Sequence, residues 1–362
     1  MFNKKLIIKL CLVILAPLGY VLLYAASFSS GMVEAIYSQR LYKIFVKPVS
    51  ILTGALPFSV IEILMFSLLA FFLFKIVYNM VKFVKSRSQC LKSIVNSLIG
   101  IAAAFCTVYF LFVVMCGLNY QRLPFAEIAQ YNMESPSLDE LVKVCRNLTS
   151  QANRLRESVE EDENRVMKLS TTIGNTLKRA DKGYEIAGKF VPELSGNFGR
   201  PKAVIISPLM SYTGIEGIYS PFTGEANVNV AIPHFDIPFT ACHEMAHQRG
   251  FLREDEANYI AYLACISHPD KDFQYSGTFA ALIYATNALS KNDRELYSEI
   301  RKSFSDGVNR DLKALNNYWD KYETQVQDFS SSVNDTFLKA NMQKDGVKSY
   351  GRMVDLLIAS QR

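Results

Sequence analysis

The sequence has only four histidines and one tryptophan among its 362 residues, and its seven cysteines form no CxxC pair. Without such pairs we predict neither a cysteine zinc knuckle nor a disulfide framework, and we expect the cysteines to be buried and unpaired. A bond between Cys242 and Cys265 stays open, because both lie on helices that we predict to pack together. There is also no internal repeat, which excludes repeat architectures.

Acidic residues are scarce in the first third of the chain. Up to Gly117 there are eleven Lys or Arg, against only Glu34 and Glu62. The remainder is slightly acidic, so the overall charge of +5 comes from the flanks of apolar segments. Such a distribution is not the footprint of a nucleic-acid-binding surface, and no nucleic-acid partner is expected.

Three long apolar runs occupy this basic region, and we predict transmembrane helices over residues 6–28, 60–81 and 94–116. The first run exceeds a signal-peptide core, so we expect it to be retained. Four basic residues and no acidic ones lie between the second and third runs: Lys82, Lys85, Arg87 and Lys92. This predicts a cytoplasmic N-terminus and an extracytoplasmic C-terminal domain, with the lipid bilayer as a partner.

The composition becomes that of a water-soluble protein after the third run. We predict a membrane anchor over residues 1–118 and a separate domain over 119–362 that is mainly α (α+β), with a small β-sheet. Val- and Ile-rich segments at 203–207 and 226–231 predict strands. Helical patterns cover 272–289, 294–322 and 348–360, and Ser137 to Glu140 has the pattern of a capping box.

All four histidines fall between positions 234 and 268, and two of them form the sequence His243-Glu244-Met245-Ala246-His247. Two imidazoles four residues apart lie on one face of a helix and can bind the same Zn²⁺. Glu244 would then lie beside the open coordination position, where a carboxylate can act as general base on water. The pattern predicts a zinc metallopeptidase, with a polypeptide as its substrate.

The third metal ligand must come from another element. Gly250 can end the first helix, and a second helix begins with Glu254, Asp255 and Glu256. Glu254 and Glu256 both remain candidates. Glu254 is favoured because it shares a helix face with Asn258, which can orient a ligating histidine. Asp255 is the weaker candidate, because its side chain is shorter and points elsewhere.

Two resemblances support this interpretation. HEMAH followed by EDEANYIAYLAC resembles the glutamate-zincin pattern of HExxH and a later ExxA(D/N), which implies a zincin-like helical domain with Glu254 as third ligand. GLNYQRLP, from Gly117 to Pro124, and PFTGEANVNVAIP resemble the domain of unknown function 3810 family of bacterial membrane proteins. That resemblance implies a metallopeptidase of the bacterial cell membrane.

Further candidates surround the motif. Residues 226–230 lie where zinc peptidases of this type place an edge strand that pairs with an extended substrate. Five side chains are candidates to assist the reaction, and the sequence selects none of them: His234, His268, Tyr212, Tyr219 and Tyr259.

An alternative function is that of a non-catalytic membrane sensor or scaffold, in which zinc only holds two helices together. Structural zinc is usually coordinated by four protein ligands. A fourth ligand from His234, His268 or Cys265 would therefore favour the scaffold.

Overall fold

Helices dominate the fold. The computed structural model describes residues 4–85, 87–341 and 352–362. The chain is 71% helical and has small sheets, which confirms the mainly α class predicted from the sequence.

Three apolar helical segments near the N-terminus are long enough to cross a membrane: Leu6–Ala26, Val60–Val81 and Ile94–Met115. Their bounds differ from the predicted spans only at the C-terminal ends of the first and third. The helices of this region are α1 (Lys4–Val13), α2 (Leu15–Ala26), α3 (Ser30–Met32), a π-helical segment (Val33–Leu41), α4 (Tyr42–Gly54), α5 (Val60–Lys85) and α6 (Arg87–Met115). Most side chains of the three spans face outward, as contact with lipid requires.

The connection between the first two spans is helical from α3 to α4 and packs against the C-terminal region. Every fourth residue of α4 is buried: Tyr42, Val46, Ser50 and Gly54. The amide of Gln248 donates to the Ser50 hydroxyl at 2.7 Å. Spans two and three cross the membrane in opposite directions, so α4 and the region after the third span lie on the same side. A contact between α4 and α12 is therefore expected for three spans. The division at residue 118 stays a prediction, and close contacts cross it.

The start of the second span is bound to the C-terminal region through two buried carboxylates. Glu225 accepts hydrogen bonds from the backbone N–H groups of Val60 and Ile61, with N···O distances from 2.9 to 3.1 Å. Glu62, in the first turn of α5, accepts from the N–H groups of Ile205 and Ile206, both at 3.0 Å. A carboxylate beside the positive end of a helix is stabilised there, so these bonds fix the entry of the span.

The C-terminal region holds the remaining helices: α7 (Phe125–Ile128), α8 (Leu138–Arg156), α9 (Ile173–Arg179), α10 (Asp181–Ala187), α11 (Ser207–Tyr212), α12 (Ile237–Gln248), α13 (Glu254–Ser267), α14 (Lys271–Asn292), α15 (Arg294–Lys302), α16 (Asp306–Asp320), α17 (Gln325–Ala340) and α18 (Met353–Ala359). The capping box at Ser137 and Glu140 is present at the start of α8. The helix predicted over 294–322 is divided, because Ser305 caps the new helix α16. The helix predicted over 348–360 is seen only as α18, since residues 342–351 lie outside the described ranges.

Two small sheets accompany the helices. β1 (Glu160–Glu161) pairs antiparallel with β2 (Met167–Lys168). In the second sheet β5 (Glu225–Val228) lies between β3 (Lys202–Ala203), to which it is parallel, and β4 (Gly217–Ser220), to which it is antiparallel.

Two strand predictions need correction. The strand expected at 203–207 is only the pair Lys202–Ala203, because Ser207 already begins α11 with Pro208 in its first turn. The strand expected at 226–231 is real but ends at Val228, and it is the central strand, not an edge. Asn229 ends it, because its side-chain oxygen accepts from the N–H of Ala231 at 3.0 Å.

One hydrophobic core holds the helices of the C-terminal region together, and α12 and α13 lie within it. Helix α13 carries fully buried alanines at Ala257, Ala261 and Ala264. Small side chains let two helices approach closely, as we expected from the sequence. This close approach places the start of α13 beside the end of α12.

Candidate metal centre

The end of α12 orients one of the predicted metal ligands. The chain reverses at Gly250, whose φ of +84° is strained for other residues. The N–H groups of Gly250 and Phe251 donate to the carbonyls of His247 and Ala246, which is a Schellman motif. This turn leaves the carbonyl oxygen of Phe251 2.8 Å from Nδ1 of His247. Since Nδ1–H donates there, Nε2 keeps its lone pair for a metal.

His243, His247 and Glu254 converge, with their donor atoms all within 4.8 Å of one another. Nε2 of His243 is 3.2 Å from Oε2 of Glu254, and Nε2 of His247 is 3.7 Å from Oε1. No other His, Cys, Asp or Glu of the described ranges belongs to this group. Two imidazoles and one carboxylate are a donor set of catalytic zinc sites, which keep a fourth position open.

The neighbouring acids point away from the histidines. Oε1 of Glu256 accepts from the backbone N–H of Phe125 and from the guanidinium of Arg253, both at 2.8 Å. Asp255 lies 3.3 Å from the guanidinium of Arg352. Of the three acids at the start of α13, the structure therefore brings Glu254 to the histidines.

Burial and mutual charge shift the protonation of this cluster. Burial lowers the pKa of His243, but the adjoining Glu254 carboxylate outweighs it and raises this pKa to about 9. Burial lowers the pKa of His247 to about 4, although Glu254 acts in the opposite sense. Burial, with the nearby Glu254, raises the pKa of Glu244 to about 8. All three shifts apply to the cluster without a bound cation, whose charge would lower the pKa of each of these groups.

The edge strand β4 lies directly against Glu244. A Cβ atom at Gly217 would come within 2.5 Å of Oε1 of Glu244, so the carboxylate packs onto the bare backbone of this strand. The preceding residue, Glu216, accepts a hydrogen bond from Thr240 on α12 at 3.3 Å, and burial raises its pKa. Glu216 could not be predicted from the sequence, because no regular spacing relates it to the HExxH motif.

Asn258 and Tyr284 complete the surroundings of the histidines. The side chain of Asn258 hydrogen-bonds to His243, the orienting contact that the helix spacing predicted. Tyr284, on α14, interacts with the same Asn258 side chain and lies within electrostatic range of Glu216 and Glu254. Sequence reasoning missed Tyr284, since only the packing of α14 against α12 and α13 brings it here.

The other predicted candidates bond elsewhere. Nδ1 of His234 accepts from the N–H of Leu169, and buried His268 stacks on Phe273 and bonds to the carbonyl of Arg179. The three tyrosines pair with aromatic partners, in the pairs Tyr212–Tyr322, Tyr219–Tyr42 and Tyr259–Tyr131. None of these five side chains is brought to the metal-ligand cluster.

Cys242 and Cys265 are buried free thiols. The bond left open between them is absent, and the thiol of Cys265 faces the carbonyl of Pro238 at 3.8 Å. Burial raises the pKa of Cys265 well above its usual range, which keeps it a protonated and unreactive thiol.

Comparison with known proteins identifies the family of the chain. Neither the curated proteins nor the solved structures contain a match to the chain. A family described as protein of unknown function (DUF3810) matches residues 37–358, a range that runs from the π-helical segment into α18 and includes the whole candidate metal centre. The chain therefore belongs to the DUF3810 family.

Proposed function

We propose that this protein is a membrane-anchored zinc metallopeptidase of the HExxH type, similar to the glutamate zincins, with a polypeptide as its substrate. The observation that carries the proposal is the convergence of His243, His247 and Glu254 within 4.8 Å, beside Glu244. From the charge of the loops between the spans, we further propose that the C-terminal domain faces the outside of a bacterial cell membrane.

The donor set fits zinc. Nε2 of His243, Nε2 of His247 and the carboxylate of Glu254 would hold the ion, and borderline-soft Zn²⁺ accepts this mixture of nitrogen and oxygen. When bound, zinc supplies Lewis-acid chemistry, which lowers the pKa of water and polarises a carbonyl. Phe251 holds Nδ1 of His247, and Asn258 hydrogen-bonds to His243, so both imidazoles are oriented before an ion binds.

The residues around the ligands have distinct roles. Glu244 takes a proton from the attacking water and delivers it to the leaving amine. The phenol of Tyr284 lies within electrostatic range of Glu254 and is our candidate neutral donor for the developing oxyanion. The outer edge of β4, which is the last strand of its sheet among the described residues, would pair with an extended substrate, since Gly217 brings this strand against Glu244. This role moves from the segment predicted at 226–230 to residues 217–220.

The positions of the other candidate ligands do not favour the scaffold. A structural site needs a fourth protein ligand. The three side chains predicted for this role have partners elsewhere: His234, His268 and Cys265. With three protein ligands, one coordination position stays available for water and substrate.

The test uses the full-length protein in lipid nanodiscs, because α4 packs against the end of α12. Zinc-loaded protein is incubated with a peptide library, and the products are read by mass spectrometry. We expect Glu244→Gln to keep its zinc and lose about 10²–10⁴-fold in cleavage rate. His234→Gln is the matched control and should cut like the wild type. Cleavage by Glu244→Gln at the wild-type rate would overturn the mechanism, and a wild-type protein that binds zinc and cuts nothing would favour the scaffold.

A further inference from the structure

Helix α17 exposes a row of large apolar side chains. Val326, Phe329, Val333 and Phe337 recur at intervals of three or four residues, and they are 53%, 72%, 52% and 44% exposed. We call these four residues the α17 stripe. A continuous apolar face of this kind on a helix outside the core marks a surface that contacts something other than water.

Another side of α17 is fixed to the protein, and the stripe does not lie on that side. The side chain of Gln327 lies against Gly214, where a Cβ atom would be only 3.1 Å from it. Leu338 is buried in a cluster with Cys116, Tyr120 and Leu252. Gln327 and Leu338 therefore hold the helix along one row, and the stripe lies on another.

The α17 stripe continues the surface of the third span. The ring of Phe337 makes an edge-to-face contact with Phe112, with a centroid distance of 5.6 Å. Phe112 lies in the last turn of the span Ile94–Met115. The C-terminal end of α17 is thus held at the level where α6 leaves the hydrophobic segment.

A second exposed stripe lies at the same boundary. Helix α4 joins the first span to the second, so its connectivity alone keeps it near the membrane surface. On the face opposite its buried residues, α4 exposes Ile44, Phe45 and Leu52. Both helices adjoining the spans therefore expose apolar side chains that the described residues leave uncovered.

We propose that α17 lies in the interfacial layer of the bilayer, with its stripe against the acyl chains, as a second membrane contact of the C-terminal region. The helix carries Asp328 and Asp335 against one lysine, Lys339, which pairs with Asp335 at 2.6 Å. Binding of α17 to the bilayer therefore depends on the apolar area of the stripe and requires no anionic lipid. Because Gln327 touches Gly214, two residues before Glu216, this contact also holds the β4 side of the metal centre close to the membrane surface.

The test uses the single tryptophan of the chain. In full-length protein with Trp319→Phe, a new tryptophan is introduced on the stripe as Phe329→Trp or Val333→Trp, or on the exposed opposite face as Ser331→Trp. Each variant is reconstituted in phosphatidylcholine vesicles with and without brominated acyl chains. We expect brominated lipid to reduce emission at least about twofold at positions 329 and 333, and by less than about a fifth at position 331.

Equal quenching at positions 329 and 331, or none at both 329 and 333, would overturn the proposal. Blue-shifted emission from position 329 that brominated lipid does not quench would also overturn it, because protein, such as a second copy of the chain, would then cover the stripe. The readout involves neither zinc nor cleavage, so it stands apart from the test of peptidase activity.

Discussion

The substitution Glu34→Gln should strongly destabilise the protein. Arg122 is 1% exposed and donates from Nε and from a terminal nitrogen to the two oxygens of Glu34, at 2.8 and 2.7 Å. Its guanidinium also lies 3.8 Å from the ring centroid of Phe251, in the turn after α12. Glutamine keeps the shape of the side chain but removes its charge. A buried guanidinium without a counter-ion costs about 3–5 kcal/mol in free energy of unfolding.

This loss can be measured with a thiol-reactive dye during heating. Within the described ranges Cys11 is exposed, against our expectation, but four cysteines are buried and would react only when the protein unfolds: Cys116, Cys145, Cys242 and Cys265. At roughly 2 °C per kcal/mol, the loss of about 3–5 kcal/mol lowers the midpoint by about 6–10 °C. The control is Glu299→Gln, whose partner Arg146 forms an ion pair with both side chains about 60% exposed. An exposed pair contributes up to about 1 kcal/mol, so the control should move by less than about 2 °C.

The double variant Glu34→Gln, Arg122→Met distinguishes charge from packing. Removing both charges leaves no unpaired ion, so this variant should melt above Glu34→Gln. A midpoint for Glu34→Gln that matches the wild type, or a shift in Glu299→Gln of the same size, would refute the reasoning.

Three further predictions concern the site. Gly217→Ala should displace the Glu244 carboxylate, because the new Cβ would lie 2.5 Å from Oε1. We expect peptide cleavage to fall about 100-fold while the zinc content stays unchanged. An unchanged cleavage rate would contradict the contact. Tyr42→Phe removes a hydroxyl bonded to Tyr219 and to the carbonyl of His247, and should lower the melting midpoint by about 2–6 °C. In metal-free protein, burial raises the pKa of Glu244 from 4.5 to about 8, so the unfolded state loses this proton at a lower pH than the folded state. The contribution of this group to the free energy of unfolding is therefore fully present below pH 4.5 and should be lost as the pH rises through 8. Glu244→Gln should remove that part of the pH dependence, and a melting profile identical to the wild type would contradict it.

Many features of the fold depend only on residues that are close together in the sequence, and these features were predicted. The spans follow from runs of apolar residues, whose length must match the bilayer. The end of α12 at Gly250 follows from the left-handed conformation that glycine favours. The alignment of His243 with His247 follows from the helix repeat, and Asn258 on α13 lies where that same repeat placed it.

The parts that sequence reasoning missed depend on contacts between distant segments. Segment 226–230 has the composition of any strand, and only the pairing of β3 and β4 on its two sides makes it central. Glu216 comes near His243 through a strand edge, and Tyr284 comes near Glu254 through packing of α14. Neither arrangement leaves a periodic signal in the sequence. The buried face of α4 was not predicted, because its apolar composition also suits a helix that lies beside a membrane.

The most direct test of the central claim is X-ray absorption at the zinc edge, with zinc content measured on the same full-length samples. The account predicts about one zinc per chain, bound by nitrogen and oxygen at about 2.0–2.2 Å, and a large loss of zinc in Glu254→Gln. Glu256→Gln is the matched control and should keep its zinc, since its carboxylate bonds to Phe125 and Arg253. Sulfur at about 2.3 Å, or full zinc occupancy in Glu254→Gln, would contradict the proposed centre.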